Sequence, residues 1–188
     1  MSARLREGAL RALAALCSAN EESRQLVVAA EVVPAMVAAL GHSTVAVRSA
    51  ACGVAKSLSR SVKNLRTALV EAGVAQPLLR LLEDDSSELR TAATAVLCNI
   101  VLDFSPIKTV VLAGGGVAKL VALTREGETT LRLHAVWALK NLLYKADLDV
   151  KREVMRALSF EAMQSLLVDA EASIQEQSVA SPLAVTLL

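Results

Sequence analysis

The chain of 188 residues is 54% hydrophobic but only 2% aromatic, and its 20 basic and 19 acidic residues leave a net charge of +1. The charges are spread along the chain without a basic tract of the kind that binds nucleic acid, so we expect no nucleic-acid partner. No apolar run reaches the roughly 18 residues of a membrane-spanning helix. Arg4, Arg6 and Arg11 stand where a secretory signal would have its apolar core, so we expect no membrane partner and a cytoplasmic and nuclear location.

Apolar residues recur with the spacing of α-helices along the chain, in a repeating order of long, short and middle helix. Long helices are predicted at residues 3–18, around 51–58, at 87–100 and at 130–144. Short helices are predicted at residues 21–30, 62–72, 105–114 and 148–158, and middle helices at 33–40, 74–83, 117–125 and 161–169. Gly73 and Gly115 lie where a short helix must stop and turn, a position that favours glycine.

Four arginines mark the period of this pattern, because Arg6, Arg48, Arg90 and Arg132 follow one another at intervals of 42 residues. A period in the forties with three helices per unit is typical of armadillo repeats rather than of two-helix HEAT repeats. We therefore predict an all-α fold, a right-handed α-solenoid of armadillo repeats. Residues 1–178 would form one solenoid with about three complete repeats and partial repeats at both ends.

The last ten residues break the pattern. Pro182 stands where a buried leucine is expected, so residues 179–188 are predicted to be an atypical tail that interrupts the next repeat. We expect the chain to be a fragment, a variant or a misjoined version of a longer array.

One face of each long helix is predicted to be buried, from apolar residues spaced i, i+3, i+4 and i+7. The four sets are Ala135, Ala138, Leu139 and Leu142; Ala93, Val96, Leu97 and Ile100; Ala51, Val54, Ala55 and Leu58; and Ala9, Ala12, Leu13 and Leu16. The cysteines Cys17, Cys52 and Cys98 lie in similar apolar stretches. We expect them to be buried and reduced rather than bound to a metal or to each other.

The opposite face of the long helices is the candidate binding surface. Trp137 and Asn141 lie there with His134 beside them, and Ser57 and Asn99 hold positions equivalent to Asn141. An indole forms a slot for an aliphatic stem and an amide pairs with an extended backbone, so these residues are predicted to line a protein-binding groove. The alternative is that Trp137 packs against a neighbouring repeat while Asn141 caps local backbone.

Arg48, Arg90 and Arg132 are placed on the flank of this groove. Pairing with acidic residues of adjacent linkers, such as Glu88 and Glu128, is the preferred interpretation of these arginines over direct contact with a ligand.

No pattern in the sequence predicts catalysis. The histidines His42 and His134 have no nucleophile or carboxylate at a suggestive spacing, and the glycines at 114–116 lack the strand and the Gly-Lys-Ser/Thr of a phosphate loop. We expect no enzyme activity, no cofactor, no metal site and no small-molecule substrate.

A set of phrases goes beyond the repeat pattern. It consists of Ser57-Leu58-Ser59-Arg60-Ser61-Val62, Leu65-Arg66-Thr67, Leu97-Cys98-Asn99, Phe104-Ser105-Pro106 with Lys108, Leu123-Thr124, Leu131-Arg132, Trp137-Ala138-Leu139, Arg156-Ala157-Leu158-Ser159 and Leu166-Leu167. Two of them, Ser59-Arg60-Ser61 and Phe104-Ser105-Pro106, lie in linkers, where the armadillo pattern does not dictate them. In these phrases the chain resembles the armadillo repeat-containing protein 8 family, the armadillo subunit of the CTLH (GID) E3 ubiquitin ligase.

The resemblance covers most of residues 20–178 and fails at Ser181-Pro182. It implies a non-catalytic scaffold that links a substrate receptor to the ligase core, so the implied partners are the protein subunits of a ubiquitin ligase. An importin-α-like carrier or another armadillo peptide-binding adaptor is the alternative. Import carriers repeat the Trp–Asn pair, and Ala95, Gly53 and Arg11 at the other tryptophan positions argue against that role.

Overall fold

The computed structural model describes residues 2–61, 63–102 and 106–179, with the side chains of residues 63–66 left out of the description. All secondary-structure elements in these ranges are α-helices. The first compact unit, Met1–Asn99, contains α1 (Ala3–Ala19), α2 (Glu21–Ala29), α3 (Val33–Ala39), α4 (Val45–Ser59), α5 (Lys63–Glu71), α6 (Ala75–Leu81) and α7 (Ser87–Ile100), whose last residue belongs to the next unit. The second unit, Ile100–Leu188, contains α8 (Ile107–Ala113), α9 (Gly116–Leu123), α10 (Thr129–Leu143), α11 (Leu148–Ala157), α12 (Phe160–Leu167) and α13 (Ala172–Val179).

The order of helices is the predicted one, a short and a middle helix between successive long helices. The long helix α7 has the predicted bounds, and α10 lies one residue earlier than predicted. The predicted tail lies outside the described residues from Ala180 onward, as do Val62 and residues 103–105 of the predicted short helices and their linkers.

In the first unit, α4 is the central helix and lies against α1, α3 and α5. Its predicted set of apolar residues is fully buried: Ala51, Val54, Ala55 and Leu58. Small residues allow α4 and α1 to approach closely, since a Cβ added at Gly53 would lie 3.5 Å from the Cβ of Ala14. The equivalent residues of α7 are buried as well: Ala93, Val96, Leu97 and Ile100.

In the second unit, α10 lies against α9, α11 and α13. Its predicted buried residues are all inaccessible to solvent: Ala135, Ala138, Leu139 and Leu142. The three cysteines are buried, as predicted, and none of them is part of a disulfide. Long helices therefore form the centre of each unit.

The first of the four predicted buried sets is wrong. In α1, Ala9, Ala12 and Leu16 are exposed and Leu13 is half-buried, whereas Leu10 and Cys17 are buried instead. The equivalent residues of α4 are covered because α4 packs between α1, α3 and α5. Among the described residues, α1 has no preceding long helix on that side, so water reaches its apolar face.

The corners between short and middle helices use left-handed backbone. Gly73 and Gly115 have φ angles of 75° and 70°, which confirms their predicted role in stopping α5 and α8. Glu31 stands 42 residues before Gly73 and adopts the same conformation with a φ of 56°. In this corner the repeat demands a geometry that suits glycine, although the sequence has glutamate.

Candidate protein-binding surface

Trp137 lies on α10 with its indole partly open to solvent, at 38% exposure. The imidazole of His134, one turn earlier, stacks against it, with ring centroids 6.5 Å apart and an interplanar angle of 19°. Both rings are held on a helix whose opposite face is buried, so the backbone that positions them is rigid. The pair forms a flat aromatic surface of the kind that contacts aliphatic or planar groups.

Asn141, predicted to pair with a ligand backbone, is only 9% exposed and has a partner within the protein. The helical spacing does place it on the same side as Trp137, one turn further along α10. The structure therefore leaves the indole, rather than the amide, as the accessible part of the predicted Trp–Asn pair.

The remaining predicted groove residues lie in the first unit. Ser57 in α4 is buried, and Asn99 in α7 is half-buried with its Nδ2 donating to the Oγ of Ser59 at 2.9 Å. This hydrogen bond links α4 to α7 across 40 residues of sequence. Ser59 was noticed in the sequence only as part of a linker phrase, and its side chain has a structural role here.

Three of the four arginines of the 42-residue period hydrogen-bond to main-chain carbonyl groups of the linker before their own helix. The Nη1 of Arg48 donates to the carbonyls of residues 42 and 43, both at 3.0 Å. The Nη1 of Arg90 donates to those of residues 84 and 85, at 2.9 and 3.4 Å, and the Nη1 of Arg132 to those of residues 126 and 127, both at 3.0 Å. Each arginine thus fixes the linker that precedes its own long helix.

Two of these arginines also pair with an acid of the following linker. The Nη2 of Arg48 lies 2.9 Å from the Oδ2 of Asp84, and the Nη2 of Arg132 lies 3.2 Å from the Oδ1 of Asp169. All four side chains are at least four-fifths buried. Both arginines thus pair with linker acids as expected, but the partners are Asp84 and Asp169. The acids named in the expectation accept other hydrogen bonds: Glu88 from the Oγ of Ser49, and Glu128 from the backbone N–H groups of Thr130 and Leu131.

The environment of Asp169 stabilises its charged form. Burial opposes ionisation, but the backbone N–H of Glu171 and the guanidinium of Arg132 together hold the pKa of the Asp169 carboxyl below its ordinary value. The pair is therefore ionised at neutral pH and links the linker before α10 to the one before α13.

In the last long helix, Gln175 makes the kind of hydrogen bond to a linker carbonyl that the arginine makes in the earlier long helices. Its Nε2 donates to the carbonyl of Asp169 at 2.6 Å, and this carbonyl is equivalent to that of Glu126 at an offset of 43 residues. In the sequence, Gln175 follows Arg132 by 43 residues, one more than the period of the arginines. The single-residue shift itself was the signal that could have found it.

Lys108 is a second residue whose role the sequence did not reveal. Its ammonium donates to the carbonyl of Tyr144 at 2.7 Å and to that of Leu142 at 3.4 Å, at the end of α10. A cation at this position complements the partial negative charge of a helix C-terminus. It stabilises the helix that carries Trp137.

The described residues contain no group of His, Cys, Asp and Glu that could hold a metal ion. Burial and, to a lesser extent, the Asp84 carboxylate raise the pKa of Cys52 to about 12 against the opposing charge of Arg48. This thiol is therefore protonated at neutral pH and a poor nucleophile. Within the described ranges, no helix has the length and apolarity needed to cross a bilayer.

Two family models match parts of the chain. Residues 3–54 match a HEAT-like repeat, and residues 63–102 match an armadillo/beta-catenin-like repeat. These two stretches therefore contain repeats of the armadillo/HEAT-like kind. The first matched stretch fits a HEAT-like model although the sequence analysis favoured armadillo over HEAT throughout.

Solved armadillo structures have the same fold as this repeat protein. A designed armadillo repeat protein in complex with the peptide (KR)4 superposes with a TM-score of 0.87 at 24% identity, covering 95% of this chain and 74% of that chain. Computationally designed armadillo repeat proteins for modular peptide recognition superpose with a TM-score of 0.89 at 23% identity, covering 95% and 75%. The prediction of an all-α armadillo-repeat fold is confirmed.

A comparison with curated proteins finds no match. None of the matched models or structures supports membership of the armadillo repeat-containing protein 8 family. The repeat fold is thus shown, and the ligase assignment stays a proposal.

Proposed function

We propose that the chain is a non-catalytic scaffold that binds a segment of a partner protein at the α10 surface, defined as His134, Trp137 and Lys140. One observation carries this proposal: the indole of Trp137 is exposed on a rigid long helix and stacked by a second ring. Tryptophan is strongly enriched among the residues that dominate the energy of protein interfaces. Armadillo folds typically serve as non-enzymatic binding scaffolds, which agrees with this role.

The similar solved structures favour a peptide as the bound segment. One of them is in complex with the peptide (KR)4, and another was designed for modular peptide recognition. An extended peptide makes main-chain hydrogen bonds and leaves alternate side chains for pockets on the scaffold. The one tryptophan of this chain, Trp137, provides a contact for one anchoring side chain of such a peptide.

The finer proposal is an adaptor role in a CTLH (GID) type ubiquitin ligase, with ligase subunits including a substrate receptor as partners, in the cytoplasm and nucleus. The phrases Ser59-Arg60-Ser61 and Phe104-Ser105-Pro106 support it, because the armadillo repeat pattern does not dictate these residues, although Ser59 also accepts a hydrogen bond from Asn99. The test is to purify the tagged chain from cells and identify its companions by mass spectrometry. Recovery of RING, CTLH or LisH-type subunits would support the adaptor role, and their absence would contradict it.

The binding surface itself is tested by Trp137→Ala in the same purification. Loss of the indole is expected to weaken partner recovery at least about tenfold, the size of an interface hot spot. Phe160→Ala is the matched control, since Phe160 is an exposed aromatic residue at the start of α12. Equal loss with both variants, or with neither, would refute the assignment of binding to α10.

The alternative, an importin-α-like carrier, predicts affinity for basic import peptides. A labelled basic import peptide would then bind at micromolar concentration or tighter, and Trp137→Ala would abolish binding. Weak binding that does not depend on Trp137 would eliminate this alternative and leave the scaffold proposal intact.

A further inference from the structure

We infer that the segment bound at the α10 surface is acidic, presenting a carboxylate to Lys140 next to an aliphatic group that contacts Trp137. This inference rests on the proposed function and names the chemistry of the partner. It follows from the charge of the surface rather than from the fold.

Lys140 brings a positive charge to the edge of the indole. It follows Trp137 by three residues, so the two side chains are neighbours on the helix surface. Its ammonium donates to the side-chain oxygen of Gln177 on α13, a neutral acceptor. Among the described residues Lys140 has no ion pair, so one hydrogen bond to a neutral amide engages a group with three donors and leaves its charge uncompensated there.

Acidic groups near this surface are few. Glu176 on α13 is exposed, whereas in the described part of the chain Lys140 donates instead to its neighbour Gln177. The helix α9, which also lies against α10, contains no acidic residue, and residues 180–188 contain none in the sequence. On α11, Asp149 lies 3.5 Å from Arg152 and Glu153 is exposed in the same turn as Lys151 and Arg152, while Asp147, the N-cap residue of α11, accepts from the backbone N–H of Val150. The described part of the second unit therefore gives the α10 surface a cationic character.

This charge pattern disfavours a basic ligand and favours an acidic one. A lysine or arginine placed over Trp137 would lie close to the like charge of Lys140, whereas a carboxylate would form a charge-assisted hydrogen bond with it. Glutamate meets both requirements, because its methylene groups cover the indole while its carboxylate reaches the ammonium. The bound segment thus differs in charge from the (KR)4 peptide of the designed armadillo complex.

The test uses three labelled octapeptides of matched length, (SE)4, (SQ)4 and (SK)4, and fluorescence anisotropy at low ionic strength. The wild-type chain is expected to bind (SE)4 about fivefold tighter than (SQ)4, with (SK)4 weakest, and the preference should shrink as salt is added. Lys140→Gln is expected to remove the preference for (SE)4. Lys151→Gln, which removes an exposed lysine on α11 and the same net charge, is expected to leave it unchanged.

The outcomes separate the two proposals. Equal binding of (SE)4 and (SQ)4, or tighter binding of (SK)4, overturns the acidic ligand, and dependence of that binding on Trp137 would still support the scaffold. Peptide binding that Trp137→Ala leaves unchanged contradicts the proposed function, as does a failure of all three peptides to bind. A preference lost equally in Lys140→Gln and Lys151→Gln reports net charge alone and overturns the site. Thermal melts of both variants check that they fold.

Discussion

At the residue scale, Glu31 has a backbone conformation that the repeat assigns to glycine. It has a φ of 56° at the position that Gly73 and Gly115 hold in the later copies. A side chain in this region costs roughly 1–2 kcal/mol, which glycine avoids. The strain therefore arises because glutamate occupies the corner between α2 and α3, where the later copies have glycine.

Exchanging these residue types should change stability in opposite directions. Glu31→Gly is expected to stabilise the chain by about 0.5–1 kcal/mol, since relief of strain outweighs the entropy of glycine. Gly73→Ala is expected to destabilise it by about 1 kcal/mol through the backbone alone, because no atom lies within 4 Å of the added Cβ. Urea unfolding measures both changes. A shift of the midpoint in the same direction for both variants would refute the argument.

Cys52 shows how burial suppresses the reactivity of a thiol. With burial and Asp84 raising its pKa to about 12, the reactive thiolate is almost absent at neutral pH. In a variant with Cys17→Ala and Cys98→Ala, we expect Cys52 to react with a thiol reagent slowly in the native protein and quickly in denaturant. Rapid labelling of the folded chain would show that α4 unfolds locally, or that the face of α4 carrying Cys52 is not buried.

At the scale of elements, Arg48, Arg90 and Arg132 each hold the linker before their own helix, and Arg48 and Arg132 also pair with an acid of the following linker. Arg132 illustrates this: one nitrogen binds two carbonyls of the linker before α10, and the other reaches Asp169 in the linker before α13. Lysine has a single compact charged group and cannot serve both sides in this way. The regular 42-residue spacing of arginine along the chain thus has a structural reason.

Arg132→Met is expected to lower the free energy of unfolding by about 1–3 kcal/mol, because the largely buried carboxylate of Asp169 and two linker carbonyl groups lose their donor. The matched control is Arg152→Met, since the Arg152–Asp149 pair is exposed, and a change below about 0.5 kcal/mol is expected there. Equal effects of the two substitutions in chemical denaturation would show that the hydrogen bonds of Arg132 contribute nothing beyond an exposed ion pair.

The Arg132–Asp169 pair should also make stability depend on pH. The pKa of Asp169 is lowered in the folded chain, so its contribution is complete above the unfolded pKa of about 3.9 and is lost as pH falls through the lower folded value. The stability difference between wild type and Asp169→Asn should therefore be constant near neutral pH and shrink in acid. A difference that persists unchanged into strong acid would mean that the carboxylate charge is not involved.

At the scale of the whole molecule, an apolar groove at α1 and α2 is open to solvent. Its cavity of about 200 Å³ is lined by Leu13, Leu16, Ser23, Leu26, Val27, Ala30 and Val32. Leu16 is 55% exposed and Leu26 is 65% exposed. Contiguous exposed apolar surface of this kind promotes association between molecules.

We expect the chain to self-associate as its concentration rises, and Leu16→Gln with Leu26→Gln to raise the concentration needed by about tenfold. Val168→Gln is the control, because Val168 is exposed at the end of α12 and does not line the groove. Light scattering coupled to size-exclusion chromatography measures the effect. A wild-type chain that stays monomeric over the whole range would refute this prediction.

The helices, their order and three of the four buried faces could be predicted from the sequence. These features depend on local periodicity. Apolar residues occupy the positions of Ala135 and Leu139 in every copy of the repeat. The fourth face, with Leu16, was wrong because burial requires a covering helix, which periodicity does not supply. For the same reason the repeat suggested an accessible Asn141, which the structure leaves almost entirely buried.

By itself, the sequence determined the 42-residue repeat, the glycine corners and the exposed position of a tryptophan on a long helix. Only the tertiary structure decided that Arg48 pairs with Asp84, 36 residues away, that Gln175 replaces an arginine, and that Lys140 meets a neutral amide. Helix formation depends on neighbours in sequence, whereas these partners meet only when helices stack. The charge that the α10 surface presents to a ligand therefore depends on how the helices pack.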